Sequence, residues 1–135
     1  MENNLLLVNK EYQQAWEIRQ SNFPPVLNVY KPVQTMSVSL SGSECALDCA
    51  HCGGHYLKSM RTIQDLSSFS GKSCLISGGC SLDGKVGVAE HLEVLEKIKG
   101  SKRYNFHVGL LNETEIEKIV PLADVVSFDM VGATD

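Results

Sequence analysis

Residues 36–52 read Met-Ser-Val-Ser-Leu-Ser-Gly-Ser-Glu-Cys-Ala-Leu-Asp-Cys-Ala-His-Cys, six residues of strict alternation running into a loop that holds three cysteines. Apolar–polar alternation over this length is the signature of a β-strand with one buried and one polar face. Three later segments carry strand patterns of their own: 74–77 is a short apolar run, 105–110 alternates, and 125–131 is apolar and rich in β-branched residues. Between them the period changes to that of a helix. Residues 88–99 place Val88, Leu92, Leu95 and Ile98 on one face, with Gly100 as a stop signal. Residues 113–123 do the same with Ile116, Ile119, Val120 and Ala123, and Asn112 and Glu115 stand at capping-box spacing. A further helix is expected within 54–66. Strands alternating with helices predict βα units and an α/β fold built on a parallel sheet.

Central strands of a parallel sheet covered on both faces are near-continuous apolar runs, yet three of these four alternate. Met36, Val38, Leu40, Phe106, Val108, Leu110, Val126, Phe128 and Met130 are assigned to the helix layer. Ser37, Ser39, Ser41, Asn105, His107, Gly109, Ser127 and Asp129 take the other face, where small and polar residues would line a space for a ligand. An antiparallel sheet with one wet face has the same pattern, and the intervening helices argue against it. Ahead of the sheet, residues 11–20 carry Tyr12, Ala15, Trp16 and Arg19 at helical spacing. Phe23-Pro24-Pro25 ends that helix, and Trp16 is expected to be a packing anchor.

The chain has 135 residues, 43% of them apolar and 21% charged, a composition that supports a folded core. Twelve basic against sixteen acidic residues give a net charge of -4 with no basic stripe, which speaks against nucleic acid as a partner. Leu5 to Val8 is too short for a signal segment, and no run approaches the roughly 20 residues of a membrane span. A cytoplasmic protein without membrane contact is expected. In that setting, three of five cysteines within eight residues point to a metal site rather than a disulfide framework.

Thiolates are soft ligands that suit iron-sulfur clusters and zinc. Cys45, Cys49 and Cys52 on one tight loop can hold three corners of a four-iron cluster; with His55 they could instead close a four-ligand zinc site. The C-x3-C-x2-C loop after the first strand of a βα repeat resembles the radical S-adenosylmethionine (SAM) superfamily. The strings CALDCAHCGGHYLKSM, SGGCSLDGK and SFDMVG are similar to a biotin-synthase-like subgroup that includes components of two-protein lipoyl synthases. The resemblance covers about residues 36–131. It implies a partial (β/α) barrel of about four parallel βα units, formed by residues 36–135 after an N-terminal helical extension over 1–35.

The same resemblance implies a 4Fe-4S cluster on Cys45, Cys49 and Cys52 whose open iron chelates SAM, and cleavage of SAM to a 5'-deoxyadenosyl radical. His51, just before the third cysteine, and Ser77-Gly78-Gly79, at the end of the second strand, would contact SAM. Glycine suits that position because the absence of Cβ admits a close backbone approach. Many members carry Glu after the glycine pair, where this chain has Cys80. His107 and Asp129 stand near the C-terminal strand ends, where parallel sheets bind ligands, and are candidates for SAM or substrate contact. Implied partners are a small-molecule or carrier-bound substrate, as in biotin- or lipoate-like sulfur insertion, and an electron donor such as ferredoxin or flavodoxin under anaerobic conditions. Cys74 and Cys80 have the simpler reading of buried small hydrophobes.

Two other readings stand beside this one. A zinc or iron-sulfur module could be non-catalytic. Gly79-Cys-Ser-Leu-Asp-Gly84-Lys85 matches the phosphate-loop spacing GxxxxGK, and VVSFD resembles the acidic strand of nucleotide hydrolases, although Val86 stands where a magnesium-binding hydroxyl belongs. Length adds one more expectation. Strand starts lie about 30 residues apart, so a six-unit barrel would end near residue 220 and an eight-unit one needs about 250 residues. A core incomplete at its C-terminus is therefore expected, either truncated or completed by a second chain.

Overall fold

Four short strands, Thr35–Ser39 (β1), Ser73–Ser77 (β2), Arg103–His107 (β3) and Val125–Ser127 (β4), form one sheet in the order β1-β2-β3-β4. Every pairing is parallel. The antiparallel alternative is thereby excluded, and the chain is an α/β protein. The computed structural model describes residues 2–129, divided into two units between Lys31 and Pro32.

In the N-terminal unit a single helix, Glu2–Asn22 (α1), is twice the length that the periodicity of 11–20 predicts. It ends before Phe23-Pro24-Pro25, where proline removes the helical option from its predecessor. Within this unit the Arg19 guanidinium lies over the Trp16 ring. No helix among the described residues is long and apolar enough to cross a membrane.

Register explains the core of the second unit. Val38 pairs with Ile76, Ile76 with Phe106 and Phe106 with Val126, while Met36 pairs with Cys74 and Cys74 with Tyr104. Because side chains alternate along a strand, these two rows share one face of the sheet. Val38, Ile76, Phe106, Cys74 and Tyr104 are fully buried there, under Leu66, Leu95 and Ile119. These last three come from the helices Ile63–Leu66 (α3), Leu92–Lys99 (α4) and Glu113–Ile119 (α5).

Inside this layer the Tyr104 hydroxyl donates to the Leu95 carbonyl at 3.0 Å, and its ring meets Phe106 edge-on. Burial pushes the Tyr104 phenol up to about 12. The α5 capping box forms as expected: Asn112 Oδ1 accepts from the Glu115 N–H and Glu115 Oε2 accepts from the Asn112 N–H.

Three expectations need correction. Residues 54–66 are not one helix but two short ones, His55–Ser59 (α2) and α3, because Arg61 between them pairs with β1. Its N–H donates to Ser37 O and its carbonyl accepts from the Ser39 N–H, at 2.8 Å each. A 3-10 turn, Ala89–His91, replaces the first turn of the helix expected over 88–99. Leu110 and Phe128 belong to the polar side rather than the helix layer. β3 ends at His107, and the backbone turns at Gly109 (φ +67°), which breaks the alternation before Leu110 is reached. β4 likewise ends at Ser127, ahead of Phe128. Met130 and Val131 lie outside the described residues.

Candidate metal and ligand site

The loop that follows β1 is shaped by its own hydrogen bonds. Ser39 Oγ donates to Gly42 O at 2.6 Å, and Gly42 takes φ +63°, a turn conformation that favours glycine. Further on, the N–H groups of Cys52 and Gly53 both donate to Cys49 O. Gly53 and Gly54 are both left-handed, and they redirect the chain into α2. Cys49 and Cys52 are thus held on one tight turn.

Cys45 is positioned by the end of β2 instead. The Gly79 N–H donates to Ser41 Oγ (2.7 Å), the Ala46 N–H donates to Cys80 O (2.8 Å), and the Cys80 N–H points at Cys45 Sγ (3.3 Å). A side chain at Gly79 would run into Glu44 O and stand 2.7 Å from the Cys45 Cα; one at Gly78 would meet Ser41 at 3.3 Å. The glycine pair therefore has a role beyond the ligand approach expected of it. It lets the cysteine loop pack directly on the end of β2.

A cavity of about 1070 Å³ opens at the C-terminal ends of the strands, and its lining gathers all nine residues singled out as a site. Cys45, Cys49, His51 and Cys52 come from the loop, Ser77, Gly78 and Gly79 from the end of β2, His107 from β3, and Asp129 from the segment after β4. Ser39, Ser41, Asn105 and Ser127 do not line it. Ser39 and Ser41 brace the loop, and Ser127 donates to Asn105 Oδ1. An apolar wall that the motifs did not reveal comprises Leu57 and Met60 around α2, Leu75, Leu110 and Phe128. The only hint of it in the sequence was the apolar spacing in HYLKSM.

Three strand ends share a polar chain. Ser77 Oγ lies 3.2 Å from His107 Nδ1, and His107 Nε2 lies 2.9 Å from Asp129 Oδ2. A carboxylate only accepts, so a neutral imidazole carries its proton on Nε2 and leaves Nδ1 to accept from the Ser77 hydroxyl. The Ser77 oxygen lone pairs then remain for a hydrogen-bond donor in the cavity.

Burial pushes the Cys80 thiol up, and Cys45, Cys49 and Cys52 push it further, because one ionised sulfur disfavours the next. Cys74, in contrast, lies wholly in the core on the helix face, where burial also raises its thiol. The three loop cysteines offer soft thiolates of the kind that hold an iron-sulfur cluster or zinc. His55, the fourth donor a zinc site would need, is exposed and lies outside the cavity lining.

The phosphate-loop spacing does not build a phosphate cradle. Residues 80–86 fold back as a hairpin, with the Ser81 N–H on Lys85 O and the Gly84 N–H on Ser81 O. Lys85 Nζ is held by Glu115 (3.0 Å) and Asp83 (3.4 Å), and no helix starts at Lys85. Asn112 N–H and then Lys85 hold the Glu115 carboxyl below its usual range. The second cavity, about 660 Å³, is lined by Glu44, Asp83, Glu90 and Glu115 and by Lys85, which two of these carboxylates already hold.

Comparison with protein-family models, with curated proteins and with solved structures gives no match for this chain.

Proposed function

We propose that this chain is a radical SAM enzyme, with Cys45, Cys49 and Cys52 as ligands of a 4Fe-4S cluster and with SAM bound in the adjoining cavity. The observation that carries the reading is the convergence of nine residues, scattered from 45 to 129, on one cavity at the C-terminal strand ends. Bound there, the cluster supplies low-potential one-electron chemistry. The rest of the work falls to the chain. Ser77, oriented by His107 and Asp129, presents an acceptor to an ammonium or hydroxyl donor. His51 offers a flat ring to a base, and Leu57, Met60, Leu75, Leu110 and Phe128 give the cavity an apolar wall.

Under this reading the sheet is the first part of a (β/α) barrel of the biotin-synthase-like subgroup, with a small-molecule or carrier-bound substrate. Cys45 is exposed, which gives an electron donor such as ferredoxin or flavodoxin an approach to the cluster.

Anaerobic reconstitution followed by dithionite and SAM tests it. The expected result is iron and sulfide in equal amounts, at one cluster per chain, and release of 5'-deoxyadenosine. Absence of iron uptake, or uptake unchanged in Cys49→Ala, overturns the cluster. A loaded cluster that never cleaves SAM overturns the enzymatic reading.

A further inference from the structure

We propose that Cys80 is a fourth thiolate ligand of the same site, closing the cluster when no other ligand occupies the cavity. The inference rests on the cluster reading above and on no part of the SAM reading.

Cys80 is separated from Cys45 by 35 residues of sequence yet lies against it. Its N–H is 3.3 Å from Cys45 Sγ, its carbonyl oxygen is 3.8 Å from the same sulfur, and that oxygen accepts from the Ala46 N–H. Cys80 is half-buried, packs against the edge of the core and lines the same cavity as Cys45, Cys49 and Cys52. Its position is held from both sides. Gly79, which has no side chain, lets Cys80 approach the loop. The pairing of Cys80 with Val86, together with the Val86 N–H on Val108 O, ties the hairpin to the segment just past β3.

Three loop cysteines leave one iron of a four-iron cluster without a protein ligand. Cys80, whose backbone lies against Cys45, would bring a soft thiolate to that corner. Closure would be a ligand exchange: the Cys80 S–H bond would break, its proton would go to solvent, the sulfur would bond to the open iron, and nothing would be oxidised or reduced. A chelating ligand entering the cavity would displace the thiolate, which would take a proton back. The site would then alternate between a closed electron-carrying cluster and an open ligand-binding one.

The test compares the reconstituted full chain with Cys80→Ala and Cys80→Ser, all anaerobic and then titrated with ferricyanide. Iron content and the paramagnetic signal of a three-iron cluster are followed together. A cluster with an unprotected iron loses it on oxidation. The expected result is that wild type keeps all its iron at a ferricyanide excess that strips one iron in four from the variants. Equal conversion in wild type and a folded variant overturns the inference while leaving the three-cysteine cluster standing. A wild-type chain that takes up no iron overturns both. Cys80→Ser changes side-chain volume little, so the comparison survives if the alanine variant does not fold.

Discussion

The sharpest prediction concerns the glycine pair, because its two members are alike in sequence and unlike in space. A Cβ placed on Gly79 would overlap Glu44 O and stand 2.7 Å from both the Cα and the Cβ of Cys45. Carbon atoms rest at about 3.5 to 4.0 Å, so the cysteine loop must retreat by about 1 Å. Overpacking of this kind costs about 1 to 3 kcal/mol. The retreat also strains the Gly79–Ser41 and Ala46–Cys80 hydrogen bonds, each worth about 0.5 to 1.5 kcal/mol. Gly79→Ala should therefore lose about 2 to 4 kcal/mol by these ranges.

Gly78→Ala is the control. Its nearest contacts, at 3.3 Å to Ser41, need a yield of only a few tenths of an ångström. The stiffer unfolded chain returns about 0.4 to 1 kcal/mol, so Gly78→Ala should be close to neutral. Urea unfolding followed by circular dichroism gives both values, and iron uptake after reconstitution reports whether Cys45 has moved. Equal midpoints for the two variants, or full iron uptake by Gly79→Ala, would refute the account of how the loop is seated.

Other consequences can be checked in parallel. Phe106→Ala empties the centre of the buried face and should cost about 3 to 5 kcal/mol in urea unfolding. Asn112→Ala removes the Glu115 N–H partner of α5 and should cost about 1 kcal/mol. The Lys99 ammonium, and then the Tyr104 N–H, hold the Asp124 carboxyl below its usual range. A depressed folded pKa stabilises above the unfolded value and is lost as pH falls through the folded one. The gap in urea midpoint between wild type and Asp124→Asn should thus be constant near neutrality and close below about pH 4. Under the proposed function, His107→Ala should leave iron uptake intact and, by freeing the Ser77 hydroxyl, weaken SAM binding up to about tenfold, the worth of one neutral hydrogen bond, as read by calorimetry.

Much of this was legible along the chain. Met36 to Leu40, Phe106 and Val108 announced a buried and a polar face, and the periods of 88–99 and 113–123 announced the helices that cover the first. Cys45, Cys49 and Cys52 stand within one loop, so their spacing alone marked them as candidate soft ligands. Three features escaped because they depend on partners distant in sequence. Arg61 leaves its helix to pair with β1, Leu110 and Phe128 turn inward where β3 and β4 stop, and Lys85 is taken by Glu115, thirty positions away.

What the sequence determined by itself was local: the period of each element, the capping box of α5, the turn-forming glycines and a cluster of soft ligands. These follow from side-chain spacing and backbone sterics within a few residues. Only the tertiary structure decided that Ser77, His107 and Asp129 form one polar chain, that Gly79 seats the cysteine loop, and that Cys80 lies beside Cys45. Parallel pairing brings strand ends more than twenty residues apart to one edge, and no periodicity in the chain encodes which side chains then meet.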